Sequence, residues 1–276
     1  MPLIVDVMVK KITLGFSPCP NDTFIFDALV NNKIDTEGLD FEYILLDIEE
    51  LNKRAFMNDL DVTKISFHAY YFLTSNYILL DSGSALGQNC GPLLISKKKY
   101  SLQETDKLTV AVPGKYTTAN FLLKFAFPNI SSKKLMLFSD IEKAVLEERA
   151  DAGVIIHENR FTYESKGLIK IADLGEIWES RTRQPIPLGG IIAKKTLPES
   201  IISKINKLVR QSVAYAFANP VSSKSFVKSH SQELDDEVIK KHIELYVNDF
   251  SLSLGEKGKI AIDTFMKIAD EQAKND

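Results

Sequence analysis

Only two cysteines, Cys19 and Cys90, occur among 276 residues, and they form no Cys-x-x-Cys pair. Neither a zinc ribbon nor a disulfide framework is indicated, and a reducing compartment is the expectation. Histidine is equally sparse, with four in the chain. His157-Glu158 lacks the second histidine that the spacing His-Glu-x-x-His requires. His68, His230 and His242 lie scattered and read as surface or packing histidines, so no metal ion is expected. Basic residues do not dominate: 34 Lys and Arg stand against 37 Asp and Glu, a net charge of -3, with no basic stripe to follow a phosphate backbone. Nucleic acid is therefore not an expected partner. No apolar run is long enough to span a bilayer. Met1 to Lys10 is apolar but carries Asp6 and lacks the basic start and cleavage site of a secretory signal, which argues for a cytoplasmic location away from membranes. The glycines of Gly83 to Gly91 match neither Gly-x-Gly-x-x-Gly nor the phosphate-loop spacing, and read as a hairpin; no Gly-x-Ser-x-Gly elbow occurs. No cofactor is expected.

What the chain does have is alternating strand and helix patterns, the mark of an α/β fold, over a length that usually divides into two lobes. Strands are expected at Lys11 to Phe16, Asp40 to Leu46, Asp61 to Ser66 and Tyr77 to Leu80. A second series follows at Leu108 to Val112, Lys134 to Phe138, Asp151 to His157, Leu168 to Ala172 and Pro187 to Ala193. Gly91 to Ser96 and Leu188 to Ala193 share a shape, glycine then apolar strand then lysines, and suggest a paired crossing between lobes, with Lys97 to Lys99 as a solvated link. From Pro198 onward the pattern is helical, and these helices are expected to pack on the first lobe.

The stretch Gly153-Val154-Ile155-Ile156-His157 reads as a central strand of a parallel sheet that delivers an imidazole to its tip. Ligands of open α/β sheets bind outside the carboxyl ends of the strands, so His157 is a candidate acid–base group. A structural histidine capping the strand is the alternative. Two further loops share that placement. Ser17 to Asp22 leads into a helix that Asn21 or Asp22 can cap, and Pro113 to Thr118 leads into a helix with Thr117 and Thr118 at its start. Hydroxyls and free first-turn amides there suit a small carboxylate; a plain structural corner or a simple N-cap would look the same. Period-two alternation sends Lys64 and Ser66 to one side of their strand, toward the same crevice, or leaves them as an exposed lysine and a helix cap. Trp178 reads as a packing residue.

Taken together, Ser17-Pro18-Cys19-Pro20-Asn21-Asp22-Thr23-Phe24, Pro113-Gly114-x-x-Thr117-Thr118, Ile155-Ile156-His157-Glu158-x-Arg160-Phe161 and Tyr246-Val247-Asn248-x-Phe250-Ser251 resemble the 1,4-dihydroxy-6-naphthoate synthases, in order and over nearly the whole chain. The resemblance implies a two-lobed type II periplasmic-binding-protein-like fold with two hinge-crossing strands and a helical C-terminal segment. A discontinuous larger lobe (1–97 and 196–276) and a smaller one (98–195) would enclose the ligand. It also implies cleavage of cyclic dehypoxanthine futalosine to 1,4-dihydroxy-6-naphthoate with loss of dihydroxyacetone, on the route to menaquinone. His157 would be the general base, and Lys64, Ile65, Ser66, Thr117 and Thr118, joined by Asn21, would line the site of a carboxylated substrate. Two rivals stand beside this reading: chorismate dehydratase, of the same route and fold, and a non-catalytic small-carboxylate binding protein. A homodimer is compatible with all three.

Overall fold

The structure, a computed structural model, describes residues 10–232 and 235–274. Met1 to Val9, on which the expectation about a secretory signal rests, lie outside the described residues, among which no helix is long and apolar enough to cross a membrane.

Two mixed sheets follow one plan. β1 (Lys10–Phe16), β2 (Leu39–Leu45), β3 (Val62–Ser66), β4 (Tyr77–Leu79) and β5 (Ala85–Gly87) enter the first. β6 (Leu93–Ser96), β7 (Val110–Val112), β8 (Lys133–Leu135), β9 (Ala152–Ile155) and β10 (Ile169–Asp173) form the second, and β11 (Ile186–Lys194) returns to the first. The strand orders are β2-β1-β3-β11-β4, with β5 beside β11, and β8-β7-β9-β6-β10. In each, three parallel strands are followed by an antiparallel strand arriving from the other sheet and then by a last strand. The strand before His157 is therefore parallel to β7 on one side and antiparallel to β6 on the other, not central to an all-parallel sheet. Helices cover β3 and β9, which are buried along their whole length; β9 is accordingly an unbroken run of apolar or small residues, whereas β3 also carries Lys64 and Ser66, which line the cleft.

Helices α1 (Pro20–Val30), α2 (Ile48–Phe56) and α3 (Phe67–Leu73) follow β1, β2 and β3, while α4 (Thr118–Ala126), α5 (Phe138–Leu146), α6 (Asn159–Thr162) and α7 (Leu174–Thr182) follow β7 to β10. α1 starts earlier than expected. Pro20 occupies its first turn, where a missing N–H costs nothing, and neither Asn21 nor Asp22 caps it; Cys19 stands at the cap position without a side-chain bond. β8 is shorter than expected because Phe138 already opens α5, and neither Ser139 nor Asp140 caps that helix.

The chain ends in α8 (Glu199–Ala218), α9 (Lys224–His230), α10 (Asp236–Tyr246), α11 (Asp249–Leu252) and α12 (Gly255–Lys274). α8 docks on α1, with Leu208, Val209 and Val213 in one apolar cluster with Ile25 and Leu29. α12 departs from the expectation of packing on the first lobe alone. Its Phe265 ring lies 6.3 Å from Phe67 of the first lobe, but 4.3 Å from Phe121 and 5.6 Å from Trp178 of the second. Trp178 is a core residue, as its sequence context indicated.

Both crossings come one strand earlier than expected. Gly83 to Gly91 is no hairpin, since β5 and β6 belong to different sheets; β5 instead pairs with the start of β11, Ala85 opposite Gly189 and Gly87 opposite Ile186. Lys97 and Lys98 are not the link: both reach Glu148, at 3.1 and 3.3 Å, on the second sheet's side. At the crossing, a Cβ on Gly91 would meet the Gly175 backbone at 2.3 Å, and backbone cannot give way cheaply. Gly91→Ala is therefore expected to cost about 1–3 kcal/mol by overpacking. Chemical denaturation measures it, and an unchanged midpoint would mean that the crossing is pliant.

Candidate active site

A cleft opens where the carboxyl ends of β1 and β3 face those of β7 and β9. One wall comes from the first lobe. Lys64 and Asp22, each 2% exposed, form a buried ion pair of 3.1 Å, and Lys64 Nζ also donates to the Gly83 carbonyl at 2.9 Å. The other Asp22 oxygen accepts from Ser17 Oγ at 2.7 Å and from Ser17 N at 3.2 Å, which ties the loop after β1 to the first turn of α1. Asn21 donates to Asp22 through Nδ2 at 2.8 Å. Ser66 accepts from Asn52 at 3.2 Å and keeps its own hydroxyl proton for the cleft. Ile65 does not belong here. Strand alternation turns it to the opposite face, where it packs with Ala55, Ala69, Tyr77 and Ile192.

The second wall carries Thr117, Thr118 and Ala119 at the start of α4, with Ile156 and His157 beyond β9. The threonine hydroxyls are already engaged. Thr117 Oγ1 donates to Gly114 O at 3.0 Å and accepts from Asn120 N at 3.3 Å, as a helix cap does; Thr118 Oγ1 donates to Leu188 O at 2.7 Å. What these residues offer an anion is the first-turn backbone amides, which have no partner inside the helix. The loop before them is held from the other lobe: both Glu49 oxygens accept from Tyr116 N, at 3.1 and 3.2 Å, beneath Gly114, whose φ of 147° suits glycine.

His157 follows Ile155 by two residues, in the left-handed region with φ 58°, a conformation that histidine adopts more readily than most side chains. Its half-buried ring meets Phe138 edge-on at 5.0 Å and lies 6.0 Å from the His242 ring at 23°. Burial lowers its pKa to about 4, with Asp22 pulling up and Lys64 pushing further down. A neutral imidazole thus faces the cleft at physiological pH. Tyr246, Cys90, Pro92, Ala85, Leu188 and Gly189 complete the lining.

Of the residues singled out from sequence, Asn21, Lys64, Ser66, Thr117, Thr118 and His157 meet at this cleft, and Ile65 does not. Sequence reading placed the Ser17 to Asp22 loop at the crevice but singled out only Asn21 as a site residue within it, and it missed Tyr246 as a lining residue; of the two readings given for His242, surface or packing, packing is the one observed, since it is fully buried beside the site. His68 and His230 do pack peripherally, against Phe121 and Phe226. The fold also brings together a group that spacing did not reveal: Cys19, His157 and Glu158 each place a ligand atom within 4.8 Å of the others, and these side chains could hold a metal ion. Burial, followed by the charge of Glu158, keeps the Cys19 thiol well above its ordinary pKa and so un-ionised. Both cysteines are buried and free.

A sequence family described as menaquinone biosynthesis matches residues 12–271. The chain is 44% identical over 254 residues to a 1,4-dihydroxy-6-naphthoate synthase of Thermus thermophilus, covering 92% of each. It is 40% identical over 255 residues to the synthase of that name from Streptomyces coelicolor, covering 90% of this chain and 89% of the other. A crystal structure of a protein from Archaeoglobus fulgidus superposes with a TM-score of 0.90 at 35% identity, over 95% of this chain and 98% of that one. The alkanesulfonate-binding protein of Xanthomonas axonopodis shares the fold alone, with a TM-score of 0.67 at 11% identity over 86% and 84% of the two chains. The two-lobed periplasmic-binding-protein-like architecture expected from the sequence is the one observed.

Proposed function

Since the chain belongs to the menaquinone biosynthesis family, we propose that it is a carbon–carbon lyase that cleaves cyclic dehypoxanthine futalosine to 1,4-dihydroxy-6-naphthoate and dihydroxyacetone, with His157 as general base. The observation that supports this most is the His157 imidazole lining one cleft together with a wall of hydrogen-bonding groups. Cleavage that ends in an aromatic product requires a base to take up a proton and no electron acceptor. A carboxylate seated at the amides of Thr118 and Ala119 would hold the reacting end against that base. Its negative charge would also favour the imidazolium, raising the proton affinity of His157 once the substrate is bound. Ser66 has a hydroxyl proton to give to a polar group on the opposite wall.

Two results are expected. Burial holds the pKa of His157 in the free enzyme at about 4, so the base form persists well below the ordinary histidine value of about 6.5. The acid limb of kcat/KM should then fall toward pH 4, and a limb centred near 6.5 would contradict a buried base. Thr117→Val removes the cap of α4 and should cost about 1 kcal/mol of stability. KM for the carboxylated substrate should rise with it, and an unchanged KM would move the carboxylate elsewhere. The functional reading itself is tested by offering cyclic dehypoxanthine futalosine and chorismate side by side. Only the first should be consumed; turnover of chorismate would assign the chain to the dehydratase instead.

A further inference from the structure

His242 is a polar side chain with no exposed surface, set on a helix of the C-terminal segment and outside the cleft lining. Buried polar groups persist where something satisfies or uses them. Its Nε2 lies 2.9 Å from Asn21 Oδ1. The orientation of that amide is determined by its other end, because Asn21 Nδ2 faces the Asp22 carboxylate at 2.8 Å, and an ionised carboxylate only accepts. The amide oxygen must therefore point at His242, so Nε2 carries the hydrogen and donates it. Nδ1 then holds a lone pair. It has no hydrogen-bond partner among the described residues, and Glu158 Oε2 stands 3.8 Å away. One face of the ring stacks toward His157 at 6.0 Å, and Tyr246 lies at 4.7 Å.

We propose that His242 is a positioning residue for His157: its own ring is fixed in one orientation by the hydrogen bond to Asn21, and it holds the cleft imidazole in place by ring contact. The inference rests on the reading of His157 as the base. The groups that face the two rings are Asp22 and Lys64 from the first-lobe wall, Cys19 at the start of α1, Glu158 beside His157, and Tyr246 one turn along α10. The chain of contacts from His242 through Asn21 to Asp22 and Lys64 joins the C-terminal helix to the first-lobe wall, while the ring contact joins it to the second lobe.

The test uses His242→Asn and His242→Phe, with folding verified by circular dichroism and two readouts: steady-state kinetics with cyclic dehypoxanthine futalosine, and NMR titration of the His157 imidazole. Both variants should lower kcat roughly 10-fold or more through misplacement of the base, with KM changed less than twofold. In His242→Asn the smaller side chain admits water beside His157, so its titration midpoint should move from about 4 toward the ordinary value, carrying the acid limb of kcat/KM with it. In His242→Phe an apolar ring fills the slot and the midpoint should stay low, so the two variants separate loss of contact from loss of burial. Folded variants with wild-type kcat and an unmoved His157 titration would overturn the proposal. The titration needs no turnover, so it decides the role of His242 even if His157→Ala proves active and the base assignment fails.

Discussion

Replacing His157 with alanine is expected to lower turnover roughly 10²- to 10⁴-fold, the contribution of a positioned general base, while leaving the fold in place. The side chain is half-buried at the end of a strand, so truncation opens the cleft and does not hollow out a core. The backbone needs more care, because position 157 has φ 58°, where alanine is less at ease than histidine. His157→Asn is the better-matched control, since asparagine tolerates the left-handed region and offers no base near neutral pH. Both variants should bind substrate with near wild-type affinity in equilibrium titration and fail in turnover. Wild-type turnover in the asparagine variant would remove His157 from the chemistry and leave it as the structural histidine that its strand-end position alone also allows.

The second large effect is expected at Lys64. Lys64→Met should destabilise the protein by about 3–5 kcal/mol, because it leaves the Asp22 carboxylate buried without its counter-charge. The pair lies 3.1 Å apart with both groups 2% exposed, so water cannot take over the role of the ammonium. Ser17 and Asn21 would still donate to Asp22, which limits the loss without cancelling it. The double variant Lys64→Met with Asp22→Asn should regain most of the stability, since no unpaired charge remains, and the coupling in that cycle measures the pair. Lys64 also pushes the His157 pKa down, so its removal should raise the titration midpoint of that ring. Urea denaturation checks the first effect; a single variant within 1 kcal/mol of wild type would mean that Asp22 is better solvated than its burial indicates.

The site was more legible in the sequence than the crossings between the lobes. His157, Lys64 and Thr117 could be found because period-two alternation and strand ends send side chains to predictable places. Ile65 shows the limit of carrying over a run of residues: its neighbours face the cleft, and alternation alone turns it away. His242 was left between surface and packing although a signal for its burial existed. Ile239, His242, Ile243 and Tyr246 recur at helical spacing, which places the histidine on the inward stripe of α10 despite its charged neighbours. The crossings were misread for a different reason. Gly91 to Ser96 and Leu188 to Ala193 look alike because each is the antiparallel fourth strand of an equivalent sheet, entered just after a crossing and not itself the crossing. The Cys19, His157 and Glu158 group arises from a loop of one lobe meeting a strand end of the other, and no spacing along the chain encodes it.

Cleavage is measured most directly by the mass balance of both products. The purified, chelator-treated protein should convert cyclic dehypoxanthine futalosine to 1,4-dihydroxy-6-naphthoate and dihydroxyacetone in equal amounts, followed by mass spectrometry over time. Tight binding of that compound with neither product formed would contradict the account and leave a two-lobed binding protein in its place.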